Sequence, residues 1–322
     1  MCTQGLPAPP TPCGLGEDFE SIAYTAGTDK VKAHNYAPIY ERFLEPLRCT
    51  SFNFLEWGFA AGASARAWRE YLPLAKISEI EIGCFPHSPW YKQQVATKYP
   101  HQKWIAGQVP NARLYCGNAV NFTWVAESAL MQHVGPLRVV IDDGGHSREE
   151  MALSFFYYFA RIVPGGLFFM EDLGTSYFRD KTMTKGGFVE GVIKPLLDDL
   201  NRDVNSQDTM TRPPAFPELL GMVKSVSCET QICVIERSNL PSFDMPASTA
   251  TAMWARVSRL LPRAELSSKE ADDEKRRQTQ SNEERHARLQ ARNMASSKGH
   301  GKGHGKAPAI APAARQKAHL QG

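Results

Sequence analysis

The chain predicts an α/β fold in which a mostly parallel sheet carries helices on both faces and ends in an antiparallel hairpin. Three observations carry this. Short apolar runs alternate with helical segments between roughly residues 17 and 240. The last two runs, within 219–238, are joined by a tight connection around Cys228–Thr230, which brings one strand into the sheet antiparallel. Glycines and acids gather at the C-terminal ends of the strands, where such sheets bind ligands at the point where strand order reverses.

The elements follow in order. "FNFLEWG" (52–58) reads as a strand ending in glycine, and "ASARAWREYLP" (63–73) as a helix with Pro73 behind its end. "AKISEIEIG" (75–83) is a second strand, "PWYKQQVATKYP" (89–100) a second helix, and "ARLYCGN" (112–118) a third strand. "LRVVIDDGG" (137–145) is apolar enough to be a central strand. "REEMALSFFYYFARIVPGG" (148–166) is a helix closed by Pro-Gly-Gly, followed by the strand "LFFMEDL" (167–173). "ASTATAMWARVSRLLPR" (247–263) is an amphipathic helix that either covers a sheet face or mediates homo-oligomerisation.

Composition bounds the rest. The 322 residues are 42% hydrophobic, enough for a sizeable core. The net charge of +3 is too small to point to a nucleic-acid partner. From Ala264 onward 12 Lys/Arg face 7 Asp/Glu, a surplus of five that leaves the first 263 residues near −2. The seven cysteines (2, 13, 49, 84, 116, 228 and 233) are odd in number and contain no CxxC pair. The expectation is therefore reduced thiols in an intracellular, cytoplasmic compartment, with neither a disulfide framework nor a zinc site. "MCTQGLPAPPTPCG" has no basic start or apolar run, so no signal peptide is expected, and no stretch has a membrane-spanning length. These features divide the chain into a flexible lead (1–16), an ordered α/β domain (17–240), a linker with the accessory helix (241–266) and a charged, disordered tail (267–322) that contains "KGHGKGHGK".

The first strand runs into Glu56-Trp57-Gly58-Phe59-Ala60-Ala61-Gly62. Glycines at 58 and 62 let the backbone turn and pass close to a ligand, although turn-making alone also accounts for them. Glu81 ends the second strand about 20–25 residues beyond this loop, a spacing suited to ribose hydroxyls. Glu79 has the same facing and stays a candidate. Asn118, at the third strand's end, suits an adenine edge.

Asp142, Asp143 and His146 come from one strand end and Glu171 and Asp172 from the next. Adjacent strands lie about 4.8 Å apart, so these groups can converge. Oxygen donors with open water positions suit a hard divalent cation, Mg2+ above all, and a single His with no thiol disfavours zinc. His146 is positioned to act as general base. Capping of the following helices or pairing with Arg148 is the plainer alternative.

With these residues in view, the chain resembles a class I S-adenosylmethionine-dependent methyltransferase. It is most similar to the metal-dependent macrolide sugar O-methyltransferases and their hydroxylase-named relatives. The resemblance rests on "GTDKVKAHNYAPIYERFL" (27–44), "LEWGFAAGASARAWREYLP" (55–73), "VVIDDGGHS" (139–147), "PGGLFFMEDLGTSYF" (164–178) and "VIKPLLDDLN" (192–201), taken together. It implies a Rossmann-like, seven-stranded sheet and transfer of a methyl group to a small-molecule hydroxyl acceptor. It also implies Mg2+ on Asp143, Glu171 and Asp172, with His146 as catalytic base. Contacts to S-adenosyl-L-methionine would fall to Glu56, Gly58, Gly62, Glu81, Asn118 and Asp142, and "GTDK" with His34 and Tyr36 would form a flap. Two stretches depart from the pattern: "EIEIG" replaces the usual second-strand "GIDI", and Asn118 stands where Asp or Gln is common. A hydroxylase-type enzyme holding iron is the rival reading, and the single positioned His counts against it. Against a non-catalytic cofactor-binding module stand the intact Asp143, His146, Glu171 and Asp172.

Overall fold

The computed structural model describes residues 16–60, 62–83, 112–127, 131, 134–177, 187–201 and 213–260. The chain divides into two compact units, Met1–Glu265 and Leu266–Gly322, and every described residue belongs to the first. The expected helix 89–100 and the tail 267–322 lie outside the described residues, as does the lead up to residue 15.

Seven strands form one sheet: β1 (Asn53–Trp57), β2 (Lys76–Glu81), β3 (Ala112–Cys116), β4 (Leu137–Asp142), β5 (Ile162–Met170), β6 (Val223–Glu229) and β7 (Ile232–Arg237). Their order is β3-β2-β1-β4-β5-β7-β6, with β7 antiparallel to both neighbours and all other pairs parallel. The Rossmann-like sheet with its terminal hairpin is therefore as expected. Strand order reverses between β1 and β4, so a crevice opens above their C-terminal ends.

The two-residue period of the strands sorts their side chains. Phe54, Ile77, Val139, Ile141, Leu167 and Phe169 face one core. That core is closed by helices α1 (Phe19–Ala26), α3 (Ala37–Leu44) and α4 (Ala63–Tyr71), with the single turn α2 (Asp29–Lys32) between the first two. Phe19 stacks on Trp68 at 4.6 Å, and Tyr40 and Tyr71 pack around the pair. Each such aromatic contact is worth about 0.5–1.5 kcal/mol beyond its buried area. Leu55, Trp57, Ile80, Val140, Phe168 and Met170 face the other core. After α5 (Phe122–Glu127), that side is covered by α6 (Arg148–Phe159), α7 (Lys194–Leu200) and α8 (Ala247–Leu260).

The caps follow the local sequence. The Asp18 carboxylate accepts from Ser21 N–H at 2.7 Å to open α1, which Gly27 closes in the left-handed region. Ser147 caps α6 by accepting from Glu150 N–H.

Two expectations are corrected. The helix expected to run to Pro-Gly-Gly stops at Phe159, because β5 already starts at Ile162 and carries that tripeptide as a register shift against β4. The helix expected within 247–263 is present as α8, and Met245, Ala250, Met253 and Val257 are buried in the core. The cysteines are not all thiols. Cys228 and Cys233 face each other across the β6–β7 hairpin and are disulfide-bonded, their Cα atoms 4.1 Å apart. Cys116 is disulfide-bonded too. The expectation of thiols throughout therefore fails: Cys228 and Cys233, without a CxxC spacing, meet as cross-strand neighbours. Among the described residues no helix is long and apolar enough to cross a membrane.

Candidate active site

A cavity of about 590 Å³ lies over the C-terminal ends of β1 to β4. Gly58, Glu81, Asn118, Asp142, Asp143, His146 and Asp172 all line it. Gly27, Thr28 and Asp29, from the expected "GTDK" flap, line it as well.

Backbone geometry explains the glycines. Gly58 has φ +106°, and a Cβ there would lie 1.9 Å from the carbonyl oxygen of Asp143. Its hydrogen atom is what lets the β1 and β4 loops touch, with Asp143 N–H donating to Trp57 O at 3.2 Å. Gly62 has φ +72° and is packed against the Phe59 ring. A side chain at Gly117 would enter the Trp124 indole. Of the four described non-glycine residues with positive φ, Ala60, His146 and Asp172 lie at this site, a concentration typical of functional loops.

At the end of β2, the Glu81 carboxylate accepts from Ala60 N–H at 3.0 Å and Gly83 N–H at 2.5 Å. It thereby ties the glycine loop to the end of β2. Burial raises its pKa, while these backbone donors pull the other way. Glu79 is fully buried under the loop, and neither carboxyl oxygen has a hydrogen-bond donor among the described residues. Burial and the neighbouring Glu56, its register partner on β1, push its pKa well up. Of the two candidates only Glu81 reaches the cavity. Asn118 turns its side-chain oxygen to Val120 N–H at 2.9 Å. Asp142 accepts from Ser154 Oγ of α6 and from Gly144 N–H, and burial pushes its pKa up to about 6.

The acids expected to share one ion are divided between two groups. The alternation of the strands puts Glu56, Asp143 and Glu171 on the α1/α3/α4 side, where Lys30 of α2 meets them. Its Nζ lies 2.8 Å from Asp143 Oδ2, 2.5 Å from Glu171 Oε1 and 3.1 Å from Glu56 Oε1. The contact to Glu56 is one of charge alone, because Oε1 lacks hydrogen-bond geometry. Burial alone would depress the Lys30 pKa, but Asp143, Glu171 and Glu56 outweigh it and hold the ammonium well above its ordinary value. Tyr40 donates a further hydrogen bond to Glu171. Glu56 is completed by Ser64 Oγ at 2.9 Å and Trp68 Nε1 at 3.0 Å, is fully buried, and does not line the cavity. Glu171 also stays out of it, its pKa pushed well up by burial and by Asp143.

The second group opens into the cavity. One ligand atom each from Asp143, His146 and Asp172 lie within 4.8 Å of one another. Asp172 Oδ1 accepts from Tyr36 OH at 2.8 Å and lies 3.5 Å from His34 Nε2; Oδ2 lies 3.4 Å from His146 Nε2. His146 Nδ1 has no hydrogen-bond partner among the described residues. Burial pushes Asp143 up to about 7 against the pull of Lys30 and His146.

No family model matches the chain. It is 28% identical over 198 residues to the 8-demethyl-8-alpha-L-rhamnosyl tetracenomycin-C 2'-O-methyltransferase of Streptomyces olivaceus, covering 56% of this chain and 47% of that protein. To the demethylmacrocin O-methyltransferase of Streptomyces fradiae it is 26% identical over 192 residues, covering 56% and 43%. The chain thus spans about half the length of these curated relatives. Among solved structures, the MycE methyltransferase in complex with Mg, SAH and mycinamycin VI matches with a TM-score of 0.52 at 18% identity, over 71% of this chain and 58% of that one. The chain shares its Rossmann-like fold with that methyltransferase.

The residues that sequence reasoning missed are Lys30 and Tyr40. Lys30 stood inside a quoted stretch, but a lysine followed by Val31 and Lys32 looks like surface. Its burial follows only from the acids that α2 is laid against. Glu79 was a candidate beside Glu81 because the two share a sheet face, and only Glu81 lines the cavity.

Proposed function

We propose that this chain is an S-adenosyl-L-methionine-dependent O-methyltransferase that acts on a hydroxyl of a small sugar-bearing molecule, with a divalent ion, Mg2+, at Asp143 and Asp172. The observation that carries the reading is that one cavity is lined both by Gly58, Glu81, Asn118 and Asp142 and by Asp143, His146 and Asp172. The relatives' names, which specify O-methylation and in one case a rhamnosyl group, support the same reading.

The residues fit both groups. Gly58 has no Cβ to hold a ligand off the loop, and Glu81 offers carboxylate oxygens to ribose hydroxyls. Asp143 and Asp172 present hard oxygens that are 20% and 25% exposed, leaving room for water and an acceptor oxygen beside a metal ion. Glu171 supports them from behind through Lys30, in place of the direct role the resemblance implied.

When bound, the ion would lower the pKa of the acceptor hydroxyl and orient it. When bound, S-adenosyl-L-methionine would supply a sulfonium methyl, whose S–CH3 bond would break as the O–CH3 bond formed. His146 takes the hydroxyl proton, its ring steered by Asp172. Asp172 is in turn held by Tyr36, which ties the N-terminal helices to the reacting end of the cavity. Most of the acceleration comes from the walls fixing the oxygen and methyl group in line.

Radiolabelled methyl transfer from S-adenosylmethionine to rhamnosylated acceptors tests this. Transfer should need a divalent ion and fall by about 10²–10⁴ in His146→Ala, with binding of S-adenosylhomocysteine unchanged. Transfer that persists in excess chelator would remove the metal from the reading, and an unaffected His146→Ala would remove the base.

A further inference from the structure

The inner group of acids is built like a metal site but is filled by part of the chain. Glu56, Asp143 and Glu171 each bring one oxygen to within 4.8 Å of the others. The Lys30 ammonium lies among those same three side chains at 2.5–3.1 Å. An ammonium has three N–H donors, and three carboxylates surround it. Lys30, Glu56 and Glu171 are 1%, 0% and 2% exposed, so this pocket has no surface for the waters a Mg2+ ion usually keeps. The outer group, with Asp143, His146 and Asp172 at 20–26% exposure, has that surface. Asp143 belongs to both groups, so a cation in one governs what it can do in the other.

We propose that Lys30 is a positioning residue that serves as a tethered cation. It occupies the inner acid pocket and so confines an exchangeable divalent ion to the outer one, against the cavity. It also holds Asp143 and Glu171, on loops from β4 and β5, in one register. Thr28, whose hydroxyl caps the turn at Lys30 N–H, and Tyr36, whose N–H donates to Lys30 O at 3.1 Å, fix the lysine backbone for this purpose. The inference deepens the metal assignment above and rests on it only for the ion of the unsubstituted protein.

The test is calorimetric titration of the full chain with Mn2+, alone and in five substituted forms. In the unsubstituted protein, binding should be lost with Asp172→Asn and indifferent to Glu56→Gln. In Lys30→Met, which keeps the length of the side chain and removes the charge, the dependence should reverse. Mn2+ should bind Lys30→Met/Asp172→Asn roughly 10–100-fold more tightly than Asp172→Asn alone, and Glu56→Gln added to that double variant should abolish the gain. Should the Lys30→Met forms unfold without their central charge, the same comparison is read from melting curves: Mn2+ should restore the fold of Lys30→Met/Asp172→Asn and not of the triple variant. Lys30→Met forms in which Mn2+ binds only with Asp172 intact, or neither binds nor restores folding, would overturn the proposal. If the unsubstituted protein binds no Mn2+ while Lys30→Met acquires a Glu56-dependent site, the role of Lys30 stands and the metal assignment above fails.

Discussion

Replacing Gly58 with alanine perturbs the point where the two loops of the crevice meet. The cost has two parts. At φ +106° a residue with a Cβ sits in the left-handed half of the map, worth about 1–2 kcal/mol. The new methyl would also fall 1.9 Å from the Asp143 carbonyl oxygen and 2.8 Å from its carbon, both backbone atoms that cannot swing aside as a side chain would. Overpacking of this kind costs about 1–3 kcal/mol once the backbone shifts. The sum, about 2–5 kcal/mol, lowers the melting temperature by on the order of 10 °C in a domain of this size. Gly165→Ala isolates the first part: φ is +69°, but the nearest atoms are the Arg138 guanidinium nitrogens at 3.8 Å. Differential scanning calorimetry of both variants, with S-adenosylhomocysteine titrations, reads the difference. Gly58→Ala should melt lower than Gly165→Ala and lose nucleoside binding, while Gly165→Ala should bind normally. Equal melting of the two variants, with binding intact in both, would refute the argument from close approach.

Other outcomes follow from the same geometry. Glu81→Gln removes a charged acceptor from the cavity wall and should weaken S-adenosylhomocysteine about 10–100-fold, an effect of 1.5–3 kcal/mol; Glu79→Gln, beneath the loop, should leave that titration unchanged. Because burial lifts Asp143 to about 7, an ion arriving below that pH must displace a proton. Mn2+ affinity should therefore fall by up to about tenfold per pH unit below 7 and level off above it; a flat profile from pH 5.5 to 8 would contradict the shift. Removing the Cys228–Cys233 link by double serine substitution frees only a short loop and should cost about 2 kcal/mol in urea denaturation, with the sheet retained.

Much of the fold and part of the site could be read in the residues. Alternating apolar runs and helical segments required a mostly parallel sheet, and the hairpin near Cys228–Thr230 required its antiparallel end, because periodicity is a local property of the chain. The same period of two assigns Glu56, Glu79, Asp143 and Glu171 to one face and Asp142 to the other. It does not say what lies opposite each face. That is decided by helices distant in sequence: α2 brings Lys30 from 113 residues away to Asp143 and 141 to Glu171, α3 brings Tyr40, and α6 brings Ser154 to Asp142. The cross-strand meeting of Cys228 and Cys233 likewise depends on hairpin register. A carboxylate's role depends on the charge and solvent around it. The chain's order thus determined which acids stand at the strand ends, and only tertiary packing decided which of them meet a buried ammonium and which meet open water.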